Sequence, residues 1–170
     1  PHSLLRIGKV LVDSGYSCEV WSPHHGPLES DFKNNGINVR IIPTNCLYDS
    51  NIVRTIKTFD CAIINTILTH EYYSKIARYI PSIWYIREAS NVPDYCTMQH
   101  NLKMLNCLKR ADTIYCVSNY ASSYLQKYNK NVKVVHNCIE DRSSLVKSER
   151  PYHSTIRFLQ LGSIEPRKGY

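Results

Sequence analysis

Ser82-Ile83-Trp84-Tyr85-Ile86 followed by Arg87-Glu88, SIWYIRE, decides how the chain is to be read. The run is short and almost uniformly apolar, which suits a strand buried on both faces better than a half-exposed one. Such strands belong to parallel sheets, because each parallel pair needs a crossover and the crossover helices cover the sheet. The sequence on either side keeps that rhythm. Towards the N-terminus, Asp60 to Asn65 reads as a buried strand and His70 to Tyr79 as a helix. Towards the C-terminus, Met98 to Lys109 reads as a helix, Thr113 to Val117 as a strand, Tyr120 to Tyr128 as a helix and Val132 to Val135 as a strand. Further back, the stripe Leu4, Leu5, Ile7, Val10, Leu11 and Val12 stops at Asp13-Ser14-Gly15, as an amphipathic helix does. Cys18 to Trp21, a short capped helix from Pro27 to Gly36, and the alternating Ile37 to Ile42 complete the series. The expected fold class is α/β, one parallel sheet with helices on both faces.

At 170 residues the chain has room for one domain and the edge of another. Its 43% apolar and 21% charged content excludes a disordered or fibrous chain. The N-terminus, Pro1-His2-Ser3-Leu4-Leu5-Arg6, has no signal-peptide pattern, and no apolar run approaches the ~20 residues that cross a bilayer. Seven cysteines, an odd number without a C-x-x-C pair, read as free thiols in a reducing compartment, with Cys61 and Cys116 buried in strands. Cytoplasmic localisation follows from that reading, and no metal site. A net charge of +7 attracts polyanions, whether nucleotides, phosphorylated acceptors or anionic headgroups. The polar stretch Glu140 to Ser154, EDRSSLVKSERPYHS, lacks periodicity and reads as a linker, after which Ile156 to Leu161 starts a new sheet.

In open parallel sheets the ligand crevice lies beyond the carboxyl ends of the strands. The residues there are polar: Ser22-Pro23-His24-His25-Gly26, Asn65-Thr66, Arg87-Glu88, Ser118-Asn119 and His136-Asn137. Several have a simpler use. Ser118 has the position of a helix cap, and His24-His25-Gly26 that of a turn. Arg87-Glu88, directly after the central apolar run, points to function rather than to a structural ion pair. Arg167 and Lys168, after a strand and Gly162, have the position of phosphate-holding cations.

Six segments, in order, resemble the retaining GT-B glycosyltransferases of the family-four type over nearly the whole chain. Leu4 to Val20 looks like the first helix and the G-H-E-V strand entry, and Ser22 to Leu28 with Gly36 to Val39 like the next loop and strand. Ile83 to Glu88 is similar to I-W-x-I-H-E, Ala111 to Ser118 to A-D-x-I-x-x-V-S, Val134 to Glu140 to V-I-x-N-G-I-D, and Phe158 to Gly169 to F-x-x-x-G-x-I-x-x-R-K-G. Arg87 stands where the family has His, and Cys138 and Glu140 replace its Gly and Asp.

The resemblance implies a Rossmann-like acceptor-side domain over residues 1–139 that lacks its first strand. A linker over 140–155 and the start of a nucleotide-sugar-binding domain over 156–170 follow, the whole truncated at both ends. It implies transfer of a sugar from a UDP- or GDP-type nucleotide diphosphate sugar to a glycan or lipid-linked acceptor with retention, as in polysaccharide biosynthesis. Neither metal nor cofactor takes part. Arg87 and Glu88 would be catalytic, Gly162, Arg167 and Lys168 would bind the donor diphosphate, and Ser118, Asn137 and His24 would line the cleft. Contact with an anionic membrane surface at its inner face is expected, and nucleic acid is not. The isolated chain, with half a cleft, is expected to transfer no sugar. The rival reading is a non-catalytic basic α/β binding module for nucleic acid or acidic glycan.

Overall fold

The computed structural model describes residues 2–97, 102–137 and 143–145. Two compact units divide between Asn137 and Cys138. Of the second, only a 3-10 turn, Ser143–Leu145, is described, and the expected linker and the strand from Ile156 otherwise lie outside the described residues.

The first unit opens with α1, His2–Asp13, and β1, Glu19–Ser22, followed by α2, Glu29–Asn34, and β2, Asn38–Ile41. Both helices stop by the same device. Gly15 and Gly36 adopt φ of 88° and 73°, a left-handed conformation that costs a glycine little. The following amides then reach back five residues, Tyr16 N–H to Leu11 C=O at 3.0 Å and Ile37 N–H to Phe32 C=O at 3.0 Å, so the last carbonyls of each helix are satisfied. Ile37 and Phe32 are both buried, which closes the second stop hydrophobically.

A 3-10 turn at Thr44–Tyr48 and α3, Ser50–Ile56, come next, and neither is evident from the sequence pattern. The series continues with β3, Ala62–Asn65, α4, His70–Ile76, β4, Ser82–Ile86, α5, Val92–Thr97, α6, Leu102–Arg110, β5, Ile114–Cys116, α7, Asn119–Leu125, and β6, Val132–Val134. All pairings among the described strands are parallel, as expected. The ladders form two sheets rather than one: β1-β2, and β3-β4-β5-β6. Apolar runs identify strands but carry no information about which edge each one meets, so the break is invisible in the pattern. Side chains bridge it. Trp21 of β1 meets Phe59 edge-on at 6.0 Å, and the Tyr72 hydroxyl of α4 donates to the Ile42 carbonyl just after β2.

The core sits under the four-stranded sheet, where α4 packs on β3 and β4, and α7 on β5 and β6. Trp84 is its centre, fully buried and stacked on Tyr73 of α4 at 4.6 Å. Burying a side chain of this kind contributes about 1.5–3 kcal/mol. Cys116 is buried as expected, and burial pushes its thiol pKa up. Cys61 is exposed, contrary to expectation, because β3 begins one residue later at Ala62. No disulfide forms among the described cysteines, and no helix of the described residues is long and apolar enough to cross a membrane.

Candidate functional site

Four parallel strands end on the same side of the larger sheet, and the chain leaving them forms a cavity of about 280 Å³. Asn65 and Thr66 line it from the end of β3, Arg87 and Glu88 from β4, Val117 from β5 and Asn137 from beyond β6. This volume lies just below the roughly 300–1,000 Å³ of small-molecule sites, enough for one group of a larger ligand.

The floor is strained. Thr66 adopts φ 75°, unusual for a β-branched residue, and it is the one non-glycine residue among those described with positive φ. Such a conformation costs about 1–3 kcal/mol and persists only where its surroundings hold it. Here they do. The Thr66 amide donates to the Tyr85 carbonyl at 2.9 Å, and the Thr66 carbonyl accepts from Trp84 Nε1 at 2.9 Å and Thr69 Oγ1 at 2.9 Å.

Glu88 supplies the last restraint. Its Oε2 accepts from the Ile67 amide at 3.0 Å and from the Arg87 amide at 3.1 Å. The carboxylate therefore ties the end of β4 to the turn after β3. It makes no ion pair with the Arg87 guanidinium: the salt bridges among the described residues are His25 with Glu29 and Arg40 with Glu19. Arg87 is thus half-buried at the cavity wall with no acidic partner among the described residues.

Two amides complete the lining. Asn137 Oδ1 accepts from the Tyr85 hydroxyl at 3.0 Å, which leaves the Asn137 N–H groups to donate. Asn65 also lines the cavity, and its Oδ1 is buried with no hydrogen-bond partner among the described residues. Guanidinium and amide donors suit an oxygen-rich ligand.

Of the sequence-predicted residues, the structure brings Arg87, Glu88 and Asn137 together. Ser118 serves as a cap, its Oγ accepting from the Ala121 amide at 3.1 Å at the start of α7, and it does not line this cavity. His24 is exposed in the turn after β1, its carbonyl bonded to Ser22 Oγ at 2.6 Å, and is likewise not in the lining. Gly162, Arg167 and Lys168 lie outside the described residues. Asn65 and Thr66, noted among the strand-end residues but given no role, join the site, as does Val117, whose position at the end of β5 was the available signal. No group of three His, Cys, Asp or Glu side chains suited to a metal occurs among the described residues.

No family model and no curated protein match the chain. Among solved structures it is similar to HepE of Anabaena, crystallised in complex with UDP-glucose, with a TM-score of 0.64 and 18% identity. The likeness covers 81% of this chain and 40% of the HepE chain. At that identity it shows the fold: a Rossmann-like α/β arrangement of parallel sheets flanked by helices.

Proposed function

We propose that the chain is the acceptor-side part of a retaining GT-B glycosyltransferase, which transfers a sugar from a UDP- or GDP-type nucleotide diphosphate sugar to a glycan or lipid-linked acceptor. The observation that carries this reading is the cavity at the carboxyl ends of β3 to β6, lined by Arg87, Glu88, Asn65 and Asn137 among others, in a fold similar to that of a protein solved with UDP-glucose. Parallel sheets bind ligands at such strand ends.

In this reading Arg87 is the catalytic residue, meeting oxygen of the reacting sugars, and Glu88 is a positioning residue that acts through the turn at Thr66 and Ile67. Gly162, Arg167 and Lys168 hold the donor diphosphate. Their cations offset the charge that builds on the departing nucleotide, an effect that is large in a closed, dry cleft. The reaction then needs neither metal nor cofactor. The protein works in the cytoplasm at the inner membrane face, where its +7 charge favours anionic headgroups.

The test is to incubate the full-length protein with a panel of UDP- and GDP-sugars and candidate acceptors, following nucleotide release and the anomeric configuration of the product by NMR. Turnover with the donor's configuration preserved is expected. Inverted product would refute retention. Absence of turnover with every donor, together with tight binding of RNA or acidic glycan, would replace the transferase by a basic binding module.

A further inference from the structure

The cavity is more selective than an oxygen-rich cleft needs to be. A sugar hydroxyl can be held by neutral amides alone, and Asn65 and Asn137 both line the cavity. The guanidinium is the additional element. It is kept half-buried at the wall although Glu88 is its sequence neighbour and the obvious partner. That carboxylate is turned onto the Ile67 and Arg87 amides, so the cation makes no direct ion pair among the described residues. A partly buried guanidinium without a direct ion pair has N–H donors to offer, and an anion supplied by a ligand can take them.

We propose that the group bound in this cavity carries a carboxylate, as an acidic sugar of the acceptor does. This rests on the transferase reading and gives its acceptor a chemical class. The planar guanidinium of Arg87 matches a carboxylate through two parallel N–H···O bonds. The Asn137 amide, with its oxygen taken by Tyr85, donates to the same anion. Glu88 limits the charge that is tolerated. Its own negative charge lies in the same wall, so a phosphate dianion meets a repulsion that a singly charged carboxylate meets only in part.

The experiment measures binding of glucuronate, glucose and glucose 6-phosphate to the full-length protein by titration calorimetry, at low and high salt. Glucuronate is expected to bind about ten-fold or more tighter than glucose, the size of effect that a charge-assisted pair gives, and more tightly than the phosphate. Added salt should narrow the gap. Arg87→Gln should abolish the preference for glucuronate over glucose. Arg87→Lys, which keeps the charge and loses the fork, should retain part of it, and thermal unfolding of both variants reports that they are folded. Equal binding of glucuronate and glucose by the wild-type protein overturns the proposal without any variant. A preference that survives Arg87→Gln overturns it as well, and a preference for glucose 6-phosphate overturns the choice of carboxylate. Nucleotide-sugar turnover in the same preparation separates the two ideas. Turnover onto neutral acceptors with no acid preference leaves the transferase and removes the acidic acceptor, whereas Arg87-dependent binding of glucuronate without turnover leaves the acid site and removes the transferase.

Discussion

Replacing Glu88 by alanine and by glutamine separates a structural clamp from a free acid. In the wild type one carboxylate oxygen accepts from two backbone amides, those of Ile67 and Arg87, at 3.0 and 3.1 Å. Ile67 is fully buried, so Glu88→Ala leaves its amide without an acceptor and out of reach of water, a loss of about 1–3 kcal/mol. The Arg87 amide is half-buried and can recover a water, so its bond adds about 1 kcal/mol. The expected cost of Glu88→Ala is therefore about 2–4 kcal/mol, a large share of the ~5–15 kcal/mol that holds a domain together. Glutamine keeps an oxygen at the same reach and loses only the charge, which should cost about 1 kcal/mol. Urea unfolding followed by circular dichroism gives both numbers. Amide hydrogen exchange at Ile67 gives a local reading, expected to be fast in Glu88→Ala and slow in Glu88→Gln. If Glu88→Ala lies within 0.5 kcal/mol of the wild type, or if the two variants are equally unstable, the carboxylate does not hold this turn.

Other positions give sharp expectations. A Cβ on Gly8 would lie 2.6 Å from Ile37 Cδ1, so Gly8→Ala should destabilise by about 1–2 kcal/mol despite a helix-propensity gain of up to ~1 kcal/mol, and Ile37→Val in the same chain should rescue it. An absence of coupling between the two in denaturant unfolding would place α1 elsewhere. Ser118→Ala removes the acceptor for the Ala121 amide and should cost about 1 kcal/mol, whereas Ser118→Asp should be close to neutral; equal loss in both would rule out capping as the role of Ser118. His70 is held below its ordinary pKa of 6.5 chiefly by burial, with Lys103 adding to the shift and Glu71 opposing it. The unfolded chain therefore takes the proton first, and the stability associated with neutral His70 is present above about pH 6.5 and lost as the pH falls through the folded value. Thermal midpoints measured from about pH 7 to 5 should drop further for the wild type than for His70→Gln, and parallel curves would refute the shift.

The strands and the two glycine stops were legible because their signals are local: short apolar or alternating runs, and Gly15 and Gly36 directly after the polar ends of two helices. The element α3 was not, since Ile52, Val53 and Ile56 are diluted by Asn and Thr, although Asp49 before them was a readable cap and accepts from the Asn51 amide at 2.7 Å. The element α5 hid behind Pro93, which reads as a breaker yet is tolerated in a first helical turn, where its amide has no partner to lose. At the cavity, sequence could show that residues 65, 66, 87, 88 and 137 follow strands. It could not show that Thr66 takes φ 75° with ψ 157°, a region essentially reserved to glycine, nor that Glu88 turns to the backbone instead of to Arg87. Both depend on the neighbouring strand lying alongside, which is a property of the folded sheet.

The all-parallel pairing among the described strands also governs how the chain must fold. Glu19 pairs with Asn38, Ala62 with Ser82 and Ile114 with Val132, each about twenty positions away, and Trp84 reaches thirty positions to Ile114. No hairpin among them can form within microseconds and template the rest, so every ladder waits for a helix-bearing loop to close. Strand edges stay open meanwhile, and refolding yield should fall as protein concentration rises. The two tryptophans lie one in each sheet, Trp21 in β1 and Trp84 in β4, so stopped-flow fluorescence of single-tryptophan variants would time the closure of the two sheets separately.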